Sequence, residues 1–414
     1  MKEKEEGKTE KAGEYDNFLN FLKIKRRKDE TSGLKGFFDL WRDEDIEEIM
    51  VIGGEKPVYI FKGGKMIQTD VTLTEGEIVS IIREMAALKK MEVGEKNPIL
   101  EMCLPNGDRV EAVLSAVAPE GSNITVRRFR KRSFSMLDLI SFGTLNSTAA
   151  AYLWLCVEGL GVRPANILVV GGTATGKTTF LNALTHFIER DRRIVTIEDV
   201  HELILMHDHR IHLESFGSGS EVSLDDLLRA TLRMRPDRVI VGEVRGEEAR
   251  TLFTAMNTGH DGCMGTLHAN SAKETIIRLT NPPMNVPKIM IPALDLIIMQ
   301  NKIYKGDRVI RRITEIAEII EIEENGEIEI DLNMLYKWEP KSDSLKEANC
   351  SKIKEKLAEL KGWSLEELEK EIKSRERILI WMVENNIRNV SEIINRYYSS
   401  REKLLSEIEG QDNG

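Results

Sequence analysis

Ile167-Leu168-Val169-Val170-Gly171-Gly172-Thr173-Ala174-Thr175-Gly176-Lys177-Thr178-Thr179-Phe180-Leu181 is the stretch that decides the fold. A short apolar run leads into a glycine-rich turn, and Thr179 to Ile188 then continues as a helix-like run. The segment reads as strand, loop and helix. Gly171 to Thr178 fits G-x-x-x-x-G-K-[ST] in the setting that motif needs. Glycines let successive N–H groups curl inward toward phosphate oxygens, and the following helix presents its positive end. Lys177 adds a point charge for the β- and γ-phosphates, and the Thr178 hydroxyl is placed to ligate Mg2+. The candidate nucleotide-binding set is Gly171, Gly172, Thr173, Ala174, Thr175, Gly176, Lys177, Thr178 and Thr179.

Such a loop signals nucleotide, not hydrolysis. Val239-Ile240-Val241-Gly242-Glu243 is an apolar strand ending in a carboxylate, the Walker B arrangement if it lies beside the loop's strand. Glu243 there holds Mg2+ through water or polarises the attacking water. Read alone, it is equally a strand-end glutamate capping the next helix. Thr196-Ile197-Glu198-Asp199 puts two carboxylates at another strand end, where open α/β sheets place ligand groups. Ordinary strand-end polarity is the competing reading. His268, in Thr266-Leu267-His268-Ala269-Asn270, follows a further strand and could sense a γ-phosphate as a hydrogen-bond donor. A lone histidine is more often structural.

Around this centre the chain divides into blocks. Residues 1–33 are charged and aperiodic and read as a disordered tail. Residues 34–130 read as a small α+β domain. It opens on a hairpin over Glu48–Ile52 and Val58–Phe61, and Thr74-x-x-Glu77 is the capping box of a helix. Its end is basic, Arg127-Arg128-Phe129-Arg130-Lys131-Arg132, and residues 131–146 read as a linker. Over 147–340 short apolar strands alternate with helical stretches, which predicts an α/β layer with a largely parallel sheet. Residues 341–414 read as a helical appendage.

Bulk properties narrow the classes. The 414 residues suffice for two to three domains, and 41% hydrophobic residues can bury real cores. No run approaches the roughly 20 apolar residues of a membrane span, and Met1 to Tyr15 lacks the apolar core of a signal peptide. A net charge of -10 argues against coating nucleic acid. Cys103, Cys156, Cys263 and Cys350 are too scattered for a cysteine zinc site.

Taken together and in this order, the clusters resemble those of the secretion ATPase superfamily, the type II and type IV secretion, pilus and archaellum motors. Arg193 to Leu203 looks like its Asp box, Arg233 to Gly246 its Walker B region, and Thr258 to Asn270 its His box. The resemblance runs from about Asp43 to Tyr398. It implies a RecA-like P-loop ATPase domain using ATP and Mg2+. Glu243 would be the catalytic glutamate and, with Thr178, a metal residue. Glu198 and Asp199 would place metal and water, and His268 would couple the γ-phosphate to domain movement. Arg127 and Arg128 match the segment whose basic residues close over the nucleotide. The resemblance also implies a homohexameric ring that rocks a polytopic membrane platform protein from the cytoplasmic face, held there by partners and without nucleic acid. The competing classes are a nucleic-acid motor on the same core and a nucleotide-binding scaffold with little turnover.

Overall fold

The computed structural model describes residues 32–104, 106–129, 133–215, 222–306, 308–324, 327–387 and 389–412. The expected tail therefore lies outside the described residues as far as residue 31, and so does Arg130-Lys131-Arg132. Chain contacts divide the molecule into two units, Met1–Lys131 and Arg132–Gly414.

The first unit begins with α1 (Ser32–Arg42), followed by β1 (Ile46–Ile52), β2 (Pro57–Lys62), β3 (Lys65–Thr72), α2 (Glu75–Leu88), β4 (Ile99–Cys103), β5 (Arg109–Val113) and β6 (Asn123–Arg127). The strands form one antiparallel sheet in the order β3-β2-β1-β6-β5-β4. Thr74 and Glu77 close the capping box at the start of α2, and its Ile78, Ile82 and Met85 share a core with Phe37, Trp41, Ile49 and Val126. Buried Asp108 ties the unit's end to its beginning. It accepts hydrogen bonds from Trp41 Nε1 at 2.7 Å and Phe129 N at 2.8 Å.

The second unit starts earlier than expected. Within residues 131–146, read as a linker, lies α3 (Met136–Ser141). Ser135 and Asp138 form its capping box, and Met136, Leu137 and Leu139 are buried in the second unit's core. Apolar burial thus holds most of this stretch to the ATP-loop side. Then follow α4 (Ser147–Glu158), β7 (Ile167–Val170), α5 (Lys177–Thr185), β8 (Ile194–Glu198), β9 (Arg210–Glu214), α6 (Leu224–Thr231), β10 (Arg238–Val244), α7 (Glu248–Asn257), β11 (Met264–Leu267), α8 (Ala272–Thr280), β12 (Leu296–Lys305), β13 (Arg308–Glu324), β14 (Glu327–Glu339), β15 (Ser344–Glu347), α9 (Lys352–Lys361), α10 (Leu365–Glu384) and α11 (Val390–Asp412).

One sheet runs β15-β14-β13-β12-β7-β11-β10-β8-β9. From β12 to β9 the pairs are parallel, and from β12 to β15 they are antiparallel. Alternate residues of β7 enter opposite cores. Ile167 and Val169 pack with α4 and α5, while Leu168 and Val170 pack with α7. A strand covered on both faces has to be apolar at every position.

Helix α4 is apolar all round because it is covered all round, with Ala149 to Glu158 buried. The C-terminal helices form its roof. Arg375 is fully buried between the rings of Trp154 and Tyr397, 5.2 and 5.3 Å from their centroids. Its guanidinium meets Glu158 at 2.9 Å and Glu371 at 3.1 Å. Glu318 of β13 accepts hydrogen bonds from Tyr152 at 2.8 Å and from Lys352 N at 2.7 Å, anchoring the start of α9.

Candidate functional site

The phosphate-loop geometry begins with the turn after β7. Ala174 and Gly176 both take positive φ, +59° and +98°, and Gly176 is the N-cap of α5. The left-handed region suits glycine best, and Gly176 lies further into it than Ala174 does. Thr175 Oγ1 donates to Gly172 O at 3.0 Å, and Arg311 Nε of β13 donates to Ala174 O at 3.2 Å, so the loop is braced from both sides. Thr173 and Ala174 are exposed, and Thr178 and Thr179 are half-buried in the first turn of α5.

Lys177 is 7% exposed. Its Nζ donates to Gly172 O at 3.2 Å and lies 3.2 Å from His268 Nε2. Burial and the Arg245 cation hold its pKa below the ordinary lysine value, against the pull of Glu243. His268 is likewise held down by burial first and then by Lys177. Lys177 Nζ and His268 Nε2 thus meet at the loop.

The sequence reading placed the Glu243 strand beside the loop's strand. In the structure β11 lies between them. That intervening strand is what brings its following residue, His268, between Lys177 and Glu243. His268 Nε2 is 2.7 Å from Glu243 Oε1. The approach is not aligned as a hydrogen bond, and Oε1 is buried with no hydrogen-bond partner among the described residues. Such an oxygen, with His268 and Lys177 next to it, fits an Mg2+-bound or attacking water.

Of the two Asp-box carboxylates, Asp199 is the one joined to Glu243. Arg245 contacts Glu243 and lies 3.4 Å from Asp199 Oδ2, while Ser215 Oγ donates to Asp199 Oδ1 at 2.8 Å. Glu243 raises the pKa of Arg245, fixing the cation there. Glu198 is turned elsewhere. Its Oε1 accepts from the N–H groups of Glu202 and Leu203, both at 3.1 Å, and its stem packs under Gly242. A Cβ on Gly242 would come 2.8 Å from Glu198 Cγ, so glycine before Glu243 permits the close approach.

Arg127 and Arg128 separate clearly. The Arg128 head is 8% exposed, 3.1 Å from Asp108, and also donates to the Trp41 carbonyl. Arg127 is exposed. The sequence reading gave no role to Arg245, Arg311, His201 or His212. Arg245 was legible in Glu243-Val244-Arg245, two residues beyond the carboxylate on the same strand end.

Loop, helix and acidic strand ends at the carboxyl edge of a parallel sheet define a P-loop nucleotide-binding α/β protein. The sequence profile described as "Type II/IV secretion system protein" matches residues 59–376. An uncharacterized protein of Methanocaldococcus jannaschii is 34% identical, covering 95% of this chain and 71% of its own. The probable conjugal transfer protein TrbB of Sinorhizobium fredii is 31% identical over 71% of this chain and 89% of its own. Among solved structures, the pilus retraction motor PilT with bound ADP has a TM-score of 0.50 at 19% identity, covering 85% of this chain and 93% of that one. The chain belongs to the type II/IV secretion system ATPase family.

Proposed function

We propose that the protein is an ATP-hydrolysing motor that powers assembly of a type IV pilus-like filament or archaellum, or protein secretion. The cluster of Lys177, His268 and Glu243 behind the loop carries this reading. Lys177 and the N-terminus of α5 bind the β- and γ-phosphates. Glu243 takes a proton from water as its oxygen attacks the γ-phosphorus. The bond from that phosphorus to the bridging oxygen breaks, and ADP departs with the electron pair. His268 donates to the transferred phosphoryl group, and Arg245 holds Glu243 and Asp199 in place.

Thr178 and, through water, Glu243 would hold Mg2+, which supplies charge neutralisation across the β- and γ-oxygens. Arg127, with its exposed head, is the arginine available to an anionic ligand, and Arg128 supports the fold. Glu198 serves as a support for the Asp box.

A family motor of this kind works as a homohexamer on a polytopic membrane platform at the cytoplasmic face. Among the described residues no helix is long and apolar enough to cross a membrane, so attachment would run through partners. The test is particle mass in ATP together with turnover, with and without membranes carrying the platform protein. Six-subunit particles whose turnover rises with those membranes support the motor. Nucleotide binding without turnover or ring formation in either condition points to a scaffold instead.

A further inference from the structure

We propose that Glu198, His201 and His212 form a site for one divalent transition-metal ion of the Zn2+ class, separate from the nucleotide's Mg2+. One ligand atom from each residue lies within 4.8 Å of the others. Glu198 Oε2 is 3.4 Å from His201 Nδ1 and 3.4 Å from His212 Nδ1. Bonds of about 2.1 Å to a tetrahedral ion set neighbouring ligand atoms about 3.4 Å apart. The same spacing is too long for a direct N–H···O bond, which prefers roughly 2.7–3.2 Å. Ordinary hydrogen bonding between these groups therefore does not account for their arrangement.

Two of the three ligands are also oriented by other contacts. Glu198 Oε1 accepts from the backbone N–H groups of Glu202 and Leu203, and Oε2, which Leu203 N also approaches at 3.4 Å, is the oxygen that faces the histidines. His212 Nε2 is 3.2 Å from Glu214 Oε1. That carboxylate favours a proton on Nε2 and leaves the lone pair on Nδ1, the atom 3.4 Å from Glu198 Oε2, which is the outer-shell pattern of metal-bound histidines. The Thr196 hydroxyl is hydrogen-bonded to His212 Nδ1 at 2.7 Å, and its oxygen has to turn aside for an ion to bind there.

The supports are rigid. Glu198 ends β8, His212 lies on the adjacent parallel strand β9, and Thr196 pairs with His212 in register. His201 comes from the loop after β8, and its ring centroid is 3.9 Å from that of His212. Two imidazoles and one carboxylate suit Zn2+ or Co2+, whereas Mg2+ favours an all-oxygen octahedron. A bound ion would pin the loop carrying His201 to the sheet and fix the segment that presents Asp199. The inference does not rest on ATP hydrolysis.

The test uses full-length protein stripped with chelator, kept in excess Mg2+ without nucleotide and titrated with Co2+. We expect one Co2+ per chain, a visible d–d absorption band, and displacement by Zn2+. His201→Ala and His212→Ala should each weaken binding by about 100-fold or more. Glu214→Gln, which leaves all three ligands in place, should weaken it about 10-fold. Thermal melts check that each variant is folded. Absence of binding at micromolar Co2+ or Zn2+, or a band unchanged in the double histidine variant, overturns the site.

Discussion

His268 Nε2 stands 2.7 Å from Glu243 Oε1, and Lys177 Nζ lies 3.2 Å from the same nitrogen. The strand order produces this meeting, because β11 separates β7 from β10 and delivers His268 into the gap. A carboxylate, an imidazole and an ammonium from three successive strand ends form one connected unit, and Arg245 extends it to Asp199.

Arg245 should matter to turnover more than to nucleotide affinity. It bridges Glu243 and Asp199 rather than the loop, so Arg245→Gln should lower kcat by on the order of 10–100-fold and leave KM within a few-fold. Arg245→Lys keeps the charge but cannot span both carboxylates, and should recover only part of the loss. Steady-state kinetics on the three proteins measures this. Equal kcat in the wild type and Arg245→Gln would remove Arg245 from the mechanism.

Arg375 governs the C-terminal roof. Arg375→Ala leaves Glu158 buried without the Arg375 cation, leaves Glu371 to Arg401 alone, and empties the space between Trp154 and Tyr397. Breaking a buried pair from one side costs about 3–5 kcal/mol. Denaturant unfolding should show a loss of that order. A loss near zero would mean that α10 docks without this ion pair.

His207 predicts a loss of stability in mild acid. It is 4% exposed, its Nε2 donates to Ile188 O at 3.1 Å, and Nδ1 has no hydrogen-bond partner among the described residues. Burial, with the Arg190 and Arg210 cations, holds its pKa below the ordinary 6.5, while the Ile188 carbonyl and Asp208 oppose the shift. As pH falls, the unfolded chain binds the proton first. The stabilisation is full above about 6.5 and is lost as pH drops toward the folded-state value. Melting temperatures between about pH 7.5 and 5.5 should fall less steeply in His207→Gln than in the wild type. Identical slopes would exclude this histidine as a cause.

The sequence made the site legible where chemistry ties residue type to local spacing. Gly171 to Thr178 and Val239 to Glu243 each carry their meaning within one strand and one turn. Features set by distant partners were harder to read. Arg128 sits in a basic run read as closing over the nucleotide, yet Asp108, in a turn between two strands, draws it inside. Arg375 lay in a stretch read only as a helical appendage, and Trp154, which with Tyr397 encloses it, is far away in sequence. The long β13–β14 hairpin was not anticipated. Alternation is visible in Ile320-Glu321-Ile322-Glu323, but a register shift at Ile316/Ala317 breaks the pattern further back. Residues 341–347 were read as the start of the helical region, whereas β15 occupies Ser344–Glu347 as the edge of that extension.

The most direct test of the central claim is ATP turnover by the wild type beside Glu243→Gln, with nucleotide affinity measured on both. The amide keeps the shape of Glu243 but cannot take the proton of the attacking water. The account predicts Mg2+-dependent hydrolysis in the wild type, a fall of at least about 100-fold in the variant, and ATP affinity within a few-fold between them. Hydrolysis that survives in Glu243→Gln would contradict it, because the proton would then have to leave by a route that Glu243 does not supply.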